Sequence, residues 1–340
     1  MAIRIKSIKW KIMLWIVLTS IVTLGILAFS IFLMVGNTVG TMVRNNATEI
    51  VSGKSSEVSQ WIDTQKKSIE IIAGANAIKT LDFDGAADYL NQRMGVIGSE
   101  FENVFLVDRT GNGKTQDKKV LDVSQRDYFK QIMNGNNFAL SNPVYSSITG
   151  NPIFVIAYAV TDASGKTIGL VGGSITLNIV SQIAGAASLG GMGYGFIIDG
   201  EGIVMAHKDR NAVLKLDLLE SDGLGYEALD EAGREMIEGK MGIKEVKTPD
   251  GITELLVYNP IEKTPNWSFG IAVDVDEVYR DSNGILIFVV LMVLVIAGVF
   301  FGLSYFLGAI ISKPINKLGK DVEQFGTGDL TVAFDVKSND

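Results

Sequence analysis

The stretch FLVDRTG at residues 105–111 recurs as FIIDGEG at residues 196–202. Each copy begins with an apolar run that predicts a buried strand, and it ends in residues typical of a tight turn. In such a turn the Asp side chain accepts hydrogen bonds from the following backbone, and the Gly adopts a positive φ. An internal repeat of this kind predicts two similar modules in the middle of the chain.

Further strands follow each copy in the same order. Apolar runs predict them at residues 153–160 and 167–177 after the first copy, and at 252–258 and 267–275 after the second. Residues 178–189 have the pattern of a short helix that links the two modules. This arrangement predicts an α+β fold in which each module contains an antiparallel sheet with helices beside it.

Two long uncharged runs flank the modules. Residues 12–35 and 285–311 are almost wholly apolar, and about 20 such residues are enough to cross a bilayer as a helix. The first run is longer than the apolar part of a cleaved signal peptide, so we expect it to remain as an anchor. Basic residues lie in the outer segments 1–11 and 312–340, and this bias predicts that both termini are cytoplasmic.

The loop between the spans is therefore expected to lie outside the cytoplasm. This loop, about residues 37–282, contains more acidic than basic side chains, and the whole chain has a formal net charge of −8. That charge argues against nucleic acid as a partner. We expect a two-pass membrane protein with this loop on the outer side.

A long helix is expected directly after the first span. Apolar residues recur at helical spacing from Val43 to Ile72, and this segment contains no Pro. The pattern predicts one amphipathic helix over residues 37–75 that continues the span. One face of such a helix packs against its own domain. Another face is a candidate dimer seam, so we expect a homodimer.

The composition excludes most kinds of enzyme. With no Cys and one His in the chain, thiolate and His-rich metal sites and a Cys nucleophile are excluded. The phosphate-loop, zinc-protease and serine-hydrolase motifs are absent from the sequence. The glycines of residues 190–195 precede a predicted strand, whereas a dinucleotide loop follows one, and His207 has no second His or Cys with which to hold a metal. We expect no catalytic residue, no metal and no cofactor.

One stretch combines a cation with aromatic side chains. Residues 122–129, DVSQRDYF, place Arg126 beside Tyr128 and Phe129 at the start of a helical run. A guanidinium offers a planar pair of donors to a carboxylate, and aromatic rings often line a pocket. The alternative is that Arg126 pairs with a neighbouring Asp of the same stretch and only stabilises a turn.

Taken together, the motifs resemble the double Cache sensor domains of bacterial transmembrane receptors. The resemblance rests on DVSQRDYF at 122–129, SNPVYSSITGNP at 141–152, GLVGG at 169–173 and GYGFIIDGEGIVMAH at 193–207. It covers about residues 37–280 and implies a long N-terminal helix followed by two tandem PAS-like modules, flanked by two transmembrane helices. It also implies a ligand pocket in the membrane-distal module.

In this resemblance the membrane-distal module is residues 76–180 and the membrane-proximal module is residues 181–280. Amino-acid-binding members of the family use a Tyr, an Arg, a Trp and further Tyr residues for the ligand carboxylate, and an Asp for its ammonium. Carried over by motif, only the Arg is unchanged, and the Asp position is Ser174. The predicted ligand-binding residues are Leu121, Arg126, Tyr128, Phe129, Val144, Tyr145, Tyr158 and Ser174.

The change of Asp to Ser174 bears on the ligand. A hydroxyl can hydrogen-bond an ammonium but cannot neutralise it, and an unpaired buried charge is costly. We therefore expect a small carboxylate-bearing ligand, an organic acid or an amino-acid-like compound. Another acidic residue in place of the missing Asp is the alternative that the sequence leaves open.

The residues after the second span resemble the start of a HAMP linker, with ISKPINKL at 311–318 and GTGDL at 326–330. We expect residues 312–340 to be a partial HAMP linker and the chain to be the sensor half of a longer receptor. The commonest output in the family is the methyl-accepting coiled coil, which implies a chemotaxis kinase and a coupling protein as cytoplasmic partners. The alternatives are a histidine kinase, a diguanylate cyclase, or a ligand-free module that signals through a protein partner.

Overall fold

The structure is a computed structural model that describes residues 8–97 and 100–327. Residues 41–278 form one compact unit, and the two flanking segments form another. The charged part of the predicted N-terminal segment up to Lys6 lies outside the described residues. So does the predicted HAMP segment from residue 328 onward, and the HAMP linker stays a prediction.

The two flanking segments carry long apolar helices. Helix α1 is Ile8–Ala73 and α7 is Val275–Gly326. Each contains a stretch long and apolar enough to cross a membrane, within Leu14–Ala73 and Ile287–Gln324. Large apolar side chains project from these stretches, and Trp15 is 67% exposed. Such a helix is suited to a bilayer, because its apolar side chains can contact lipid and its backbone hydrogen bonds are all internal.

The later part of α1 buries one face, as its apolar spacing predicts. The buried residues recur at intervals of three and four, which keeps them on one side of the helix. They are Ala47, Val51, Ser55, Val58, Ile62, Gln65, Ile69 and Ile72. The Ser55 hydroxyl is satisfied there because it donates to the Val51 carbonyl oxygen at 2.9 Å and to that of Asn259 at 3.3 Å.

The first module is built on a seven-stranded antiparallel sheet. Its helices are α2 (Asn76–Lys79), α3 (Phe83–Ile97) and α4 (Asp127–Met133). Its strands are β1 (Phe101–Asp108), β2 (Asn112–Thr115), β3 (Val120–Asp122), β4 (Phe138–Leu140), β5 (Val144–Tyr145), β6 (Pro152–Thr161) and β7 (Thr167–Thr176). The order across the sheet is β3-β2-β1-β7-β6-β4, and β5 pairs with β6.

The second module is built on a five-stranded antiparallel sheet. Its helices are α5 (Leu177–Gly185), a 3₁₀ helix (Leu218–Leu224) and α6 (Leu229–Ile237). Its strands are β8 (Tyr194–Ile198), β9 (Val204–Ala206), β10 (Gly242–Lys247), β11 (Thr253–Pro260) and β12 (Ser268–Asp274). The order is β10-β11-β12-β8-β9. The boundaries 76–180 and 181–280 remain predictions, and the linking helix ends earlier than residue 189.

The two sheets repeat the same central contact. Phe105 lies opposite Gly172 between β1 and β7, and Phe196 lies opposite Gly270 between β8 and β12. In each pair the phenyl ring occupies the space that a Cβ on the glycine would need. A side chain at either glycine would therefore push the ring out of the core, and the shared contact identifies corresponding strands in the two modules.

The turns after β1 and β8 are built as the repeated stretch predicts. Asp108 accepts a backbone N–H at 2.8 Å, and Asp199 accepts one at 2.9 Å, in each case from the residue two positions later. Gly111 has φ 87° and Gly202 has φ 93°. The local sequence therefore determines both turns, since few residues other than Gly adopt such angles.

Aromatic rings connect the two modules within the unit 41–278. Phe154 of β6 packs edge-to-face on Trp61 of α1 at 6.3 Å between ring centroids, and on Trp267 at 5.2 Å. Phe154 and Trp267 are both completely buried. The Trp267 indole N–H also donates to Asn142 Oδ1 at 3.4 Å. Helix α1, the first sheet and the second module thus share one packed contact.

Candidate ligand-binding site

The stretch with Arg126 forms a turn followed by α4. The Asp122 carboxylate, at the end of β3, accepts the Ser124 backbone N–H at 2.8 Å, and this hydrogen bond lowers the pKa of Asp122. Arg126 has an extended backbone, with φ −76° and ψ 139°, and directly precedes α4. The turn therefore directs the chain so that Arg126 and Tyr128 reach the same cleft.

Arg126 is half-buried, and its Nη2 donates to the Tyr145 carbonyl oxygen at 3.3 Å. Within the described part of the chain it makes no ion pair. Asp122 is engaged by Ser124, and the Asp127 carboxylate lies 3.9 Å from Lys130 Nζ. The interpretation in which a neighbouring Asp neutralises Arg126 is therefore not supported, and the guanidinium keeps donors for a ligand.

Arg126 borders a cleft of about 390 Å³, measured out to its open mouth. Strands β1, β3, β6 and β7 and the segment 144–148 supply the other walls. The apolar part of the lining is Phe105, Leu121, Val123, Val144, Ile148, Ile153 and Val155. The polar part is Asn103, Arg126, Tyr128, Tyr145, Ser146, Ser147 and Ser174. Among these lining residues there is one cation and no carboxylate.

Six of the eight predicted residues line this cleft: Leu121, Arg126, Tyr128, Val144, Tyr145 and Ser174. Burial raises the pKa of Tyr128 well above its usual range, while the charge of Arg126 acts in the opposite direction. The phenol therefore stays protonated and can donate to a ligand. Ser174 is buried and donates to the Asn103 carbonyl oxygen at 3.2 Å, so its hydrogen is already used.

Phe129 and Tyr158, which the sequence also predicts, are not among the residues that line this cleft. Phe129 is 7% exposed and belongs to the apolar core under α4, since its neighbour Tyr128 takes the position that faces the cleft. Ile153 lines the cleft, and side chains alternate along a strand, so Tyr158 of β6 points to the opposite face. There its hydroxyl donates to Glu70 Oε1 of α1 at 2.8 Å.

Sequence reasoning missed several polar groups at this site. Asn103 shares a sheet face with Phe105, and alternation along β1 is the signal that could have identified it. Glu102 was also missed: its carboxylate accepts from Thr149 Oγ1 at 3.0 Å and from the Asn151 side-chain amide. These bonds hold the loop that follows β5. The sequence carried no clear signal for Glu102.

A family model described as a Cache domain, dCache_1, matches residues 35–282. The chain belongs to the dCache_1 family. It is 25% identical over 328 residues to the methyl-accepting chemotaxis protein McpG of Pseudomonas putida, which covers 93% of this chain and 49% of McpG. The chain therefore spans about half the length of this relative.

Solved dCache structures agree in fold. The ligand-binding domain of the Pseudomonas fluorescens chemoreceptor CtaA, in complex with L-isoleucine, has a TM-score of 0.57 and 24% identity, covering 72% of this chain and 97% of that domain. The extracellular domain of mmHK1S-Z3, described as a histidine kinase, has a TM-score of 0.61 and 17% identity, covering 72% and 98%. These matches confirm the predicted α+β fold with its long N-terminal helix and antiparallel sheets.

Proposed function

We propose that this chain is the sensor region of a transmembrane chemoreceptor and that it binds a small carboxylate-bearing ligand in the cleft of the first module. The observation that carries the proposal is the position of Arg126: its guanidinium shares a cleft with the Tyr128 phenol and an apolar wall. The similarity to methyl-accepting chemotaxis proteins supports this function. No catalytic role is assigned to this chain.

The cleft favours a ligand with a negative head and an apolar body. The Arg126 fork and the Tyr128 hydroxyl suit a carboxylate, because charge-assisted hydrogen bonds of this kind are strong. Phe105, Val123 and Ile153 suit a short branched hydrocarbon. The CtaA domain is bound to L-isoleucine and to L-leucine. Because the lining of the present cleft holds no carboxylate, a 2-oxo acid binds here more tightly than the matching amino acid.

Signalling then follows from closure of the cleft. Ligand draws residues 122–133 toward the sheet, and the shift passes to the long helix or to the second module. Strand β12 ends at Asp274 and α7 begins at Val275, so motion of this sheet acts on the second span as a small piston or rotation. A ligand drives such a change only by its difference in affinity for the two states.

The proposal includes the membrane topology, the oligomeric state and the cytoplasmic output of the receptor. Residues 37–282 lie outside an inner membrane, both termini are cytoplasmic, and the receptor is a homodimer whose HAMP linker acts on a chemotaxis kinase through a coupling protein. A histidine-kinase output is the second candidate, since the mmHK1S-Z3 extracellular domain has a similar fold. The gene sequence downstream of codon 340 distinguishes them: a long heptad region supports a chemoreceptor, and a nucleotide-binding domain supports a kinase.

Calorimetric titration of the whole chain in lipid nanodiscs tests the ligand class. The probes are 3-methyl-2-oxopentanoate, L-isoleucine and 2-methylbutylamine, which share one branched body and differ in charge. We expect the oxo acid to bind most tightly, and any binding of the amine should be the same in the native chain and in Arg126→Gln, because the amine does not use this cleft. Arg126→Gln should weaken binding of both carboxylates by about tenfold or more, since hydrogen bonds to charged groups contribute about 1.5–3 kcal/mol.

Arg109→Gln is the matched control. Arg109 lies in the turn after β1 of the same module, where it donates to the Thr167 carbonyl oxygen at 3.2 Å, away from the cleft lining. Its substitution should leave both affinities unchanged. Equal carboxylate affinities in the Arg126→Gln and Arg109→Gln variants would contradict the proposed site.

A further inference from the structure

The second module contains its own cleft, of about 470 Å³ measured out to its open mouth. It occupies the same position on its sheet as the first cleft does. Val155 lies opposite Ser174 in the first sheet, and Leu256 lies opposite Ala272 in the second. All four residues line their respective clefts. Phe105 also lines the first cleft and Phe196 the second, and these are the two rings of the shared Phe–Gly contacts.

The corresponding positions differ in charge. Two residues before Val155 the first cleft has Ile153, and two residues before Leu256 the second has Glu254. Glu254 is half-buried, and the Tyr194 hydroxyl donates to its Oε2 at 3.0 Å. In the described residues its carboxylate makes no ion pair within 4.0 Å. The second cleft therefore presents a carboxylate where the first presents an aliphatic side chain.

A cation from the same chain already lies close to this carboxylate. The exposed Lys208 places its Nζ 3.6 Å from the centroid of the Tyr194 ring. Its charge also acts on Glu254, where it opposes the rise in pKa that burial causes. The His207 ring packs edge-on against Tyr194 at 4.9 Å, and burial lowers the pKa of His207, which keeps it neutral near pH 7. The Tyr194 ring thus already holds one ammonium group, and the carboxylate that this tyrosine hydrogen-bonds lies in the same cleft lining.

Most of the remaining lining of the cleft is apolar. Leu216, Leu218, Leu229 and Val246 line it, and Tyr226 adds an aromatic wall. None of these five side chains carries a charge at neutral pH, and burial raises the pKa of Tyr226, so its phenol stays protonated. A ligand that matches this lining has an ammonium head and a hydrocarbon body.

We infer that the cleft of the second module binds a primary organic amine, whose ammonium takes the place of that of Lys208 on the Tyr194 ring and pairs with the Glu254 carboxylate, while its hydrocarbon body lies against the apolar side chains of the lining. The side chain of Lys208 competes with the ligand and so lowers its affinity. This site is independent of the carboxylate site proposed for the first module, and either can fail without the other.

The test compares n-hexylamine, hexan-1-ol and hexanoate by calorimetric titration of the whole chain in nanodiscs, with protein-free nanodiscs as the baseline for lipid partitioning. We expect saturable binding of hexylamine, with the alcohol and the acid weaker by about tenfold or more. Equal affinities for hexylamine and hexan-1-ol would overturn the assignment to amines, and so would the absence of saturable hexylamine binding.

Three variants locate the site. Glu254→Gln should weaken hexylamine binding by about tenfold, whereas Lys208→Met should tighten it because the competing ammonium is gone. Ala272→Leu should block binding by filling the cleft, which provides a test that leaves Glu254 in place. Unchanged affinity in Glu254→Gln and Ala272→Leu, or weaker binding in Lys208→Met, would overturn the inference. Arg126→Gln, in the other module, should leave hexylamine binding unchanged.

Discussion

The two modules share a sheet frame and differ in the charge of their clefts. In both, a Phe on one central strand packs over a Gly on the next, and a cleft opens on that face of the sheet. The first cleft has Arg126 and no carboxylate in its lining, whereas the second has Glu254. Strand pairing therefore sets where a cleft forms, while a few side chains at matched register positions set what it can bind.

The largest effect on stability should come from substitutions at the two Phe–Gly contacts that the sheets share. Gly172→Ala in the first module and Gly270→Ala in the second each place a Cβ where a Phe ring lies. We expect each to lower the free energy of unfolding by about 1–3 kcal/mol, as overpacked cores do. Urea unfolding followed by circular dichroism measures it.

The control for this pair is Gly53→Ala. Gly53 lies within α1, and an added Cβ there meets no atom within 4 Å. Replacing a helical Gly by Ala in open space should be neutral or should stabilise by up to about 1 kcal/mol. If Gly172→Ala proved as stable as Gly53→Ala, the Phe–Gly contact would not be the common frame.

A carboxylate introduced into the first cleft tests this difference in charge between the two modules. Ile153→Glu places in the first cleft the carboxylate that the second cleft has at Glu254. We expect the affinity for 3-methyl-2-oxopentanoate to fall by about tenfold, because the new carboxylate repels the ligand and pairs with Arg126. L-Isoleucine should lose less affinity, since its ammonium gains a partner. Calorimetric titration measures both, and Ile153→Gln, of similar size and uncharged, should weaken the two ligands equally.

A smaller effect should appear in the pH dependence of stability. Burial is the main cause that raises the pKa of Glu254; the hydrogen bond from Tyr194 and the charge of Lys208 oppose it, and Asp274 reinforces it. A carboxyl whose pKa is raised in the folded state contributes stability that is complete below its unfolded pKa and is lost as the pH rises through the folded pKa. Glu254→Gln cannot ionise, so it should be more stable than the native chain at pH 7.5.

Thermal unfolding at several pH values measures this difference. We expect the melting temperature of Glu254→Gln to exceed that of the native chain by about 1–3 °C at pH 7.5, with the advantage disappearing toward pH 4. The exposed Glu262 provides the control, and Glu262→Gln should show no such trend. A Glu254→Gln variant less stable than the native chain at pH 7.5 would show that the ionised carboxylate is well compensated.

The smallest effect concerns the two faces of β6. Tyr158→Phe removes the hydrogen bond to Glu70 on the face opposite the cleft. It should cost about 0.5–1 kcal/mol of unfolding free energy and leave carboxylate binding unchanged. Tyr128→Phe is the matched change inside the cleft, and calorimetry should show weaker carboxylate binding for it alone. A loss of carboxylate affinity in Tyr158→Phe would show that Tyr158 contributes to ligand binding, against this prediction.

Features that depend on local sequence could be predicted, and features that depend on packing could not. The turns at Asp108 and Asp199 follow from residues two to four positions apart, and the long α1 follows from its apolar spacing and lack of Pro. Phe129 and Tyr128 are adjacent, and which of them faces the cleft depends on how α4 packs. Alternation along β6 would have excluded Tyr158, because Ile153 and Tyr158 are an odd number of positions apart.

The second cleft shows the same limit more clearly. Glu254 is an ordinary acidic residue near the start of an apolar run, and nothing in its neighbours marks it. Its significance depends on strand register, which places it beside Tyr194, 60 positions earlier in the chain. Strand pairing brings these two residues together, so periodicity within either segment carried no signal.

The aromatic contact of Phe154 with Trp61 and Trp267 gives the molecule an intrinsic optical reporter. Phe154 lies between two residues of β6, Ile153 and Val155, that line the first cleft from the other face of the strand. Indole emission responds to the packing and polarity around the ring, so a ligand that displaces β6 changes the fluorescence of these two tryptophans. Occupancy of the cleft can therefore be followed in real time without attaching a dye.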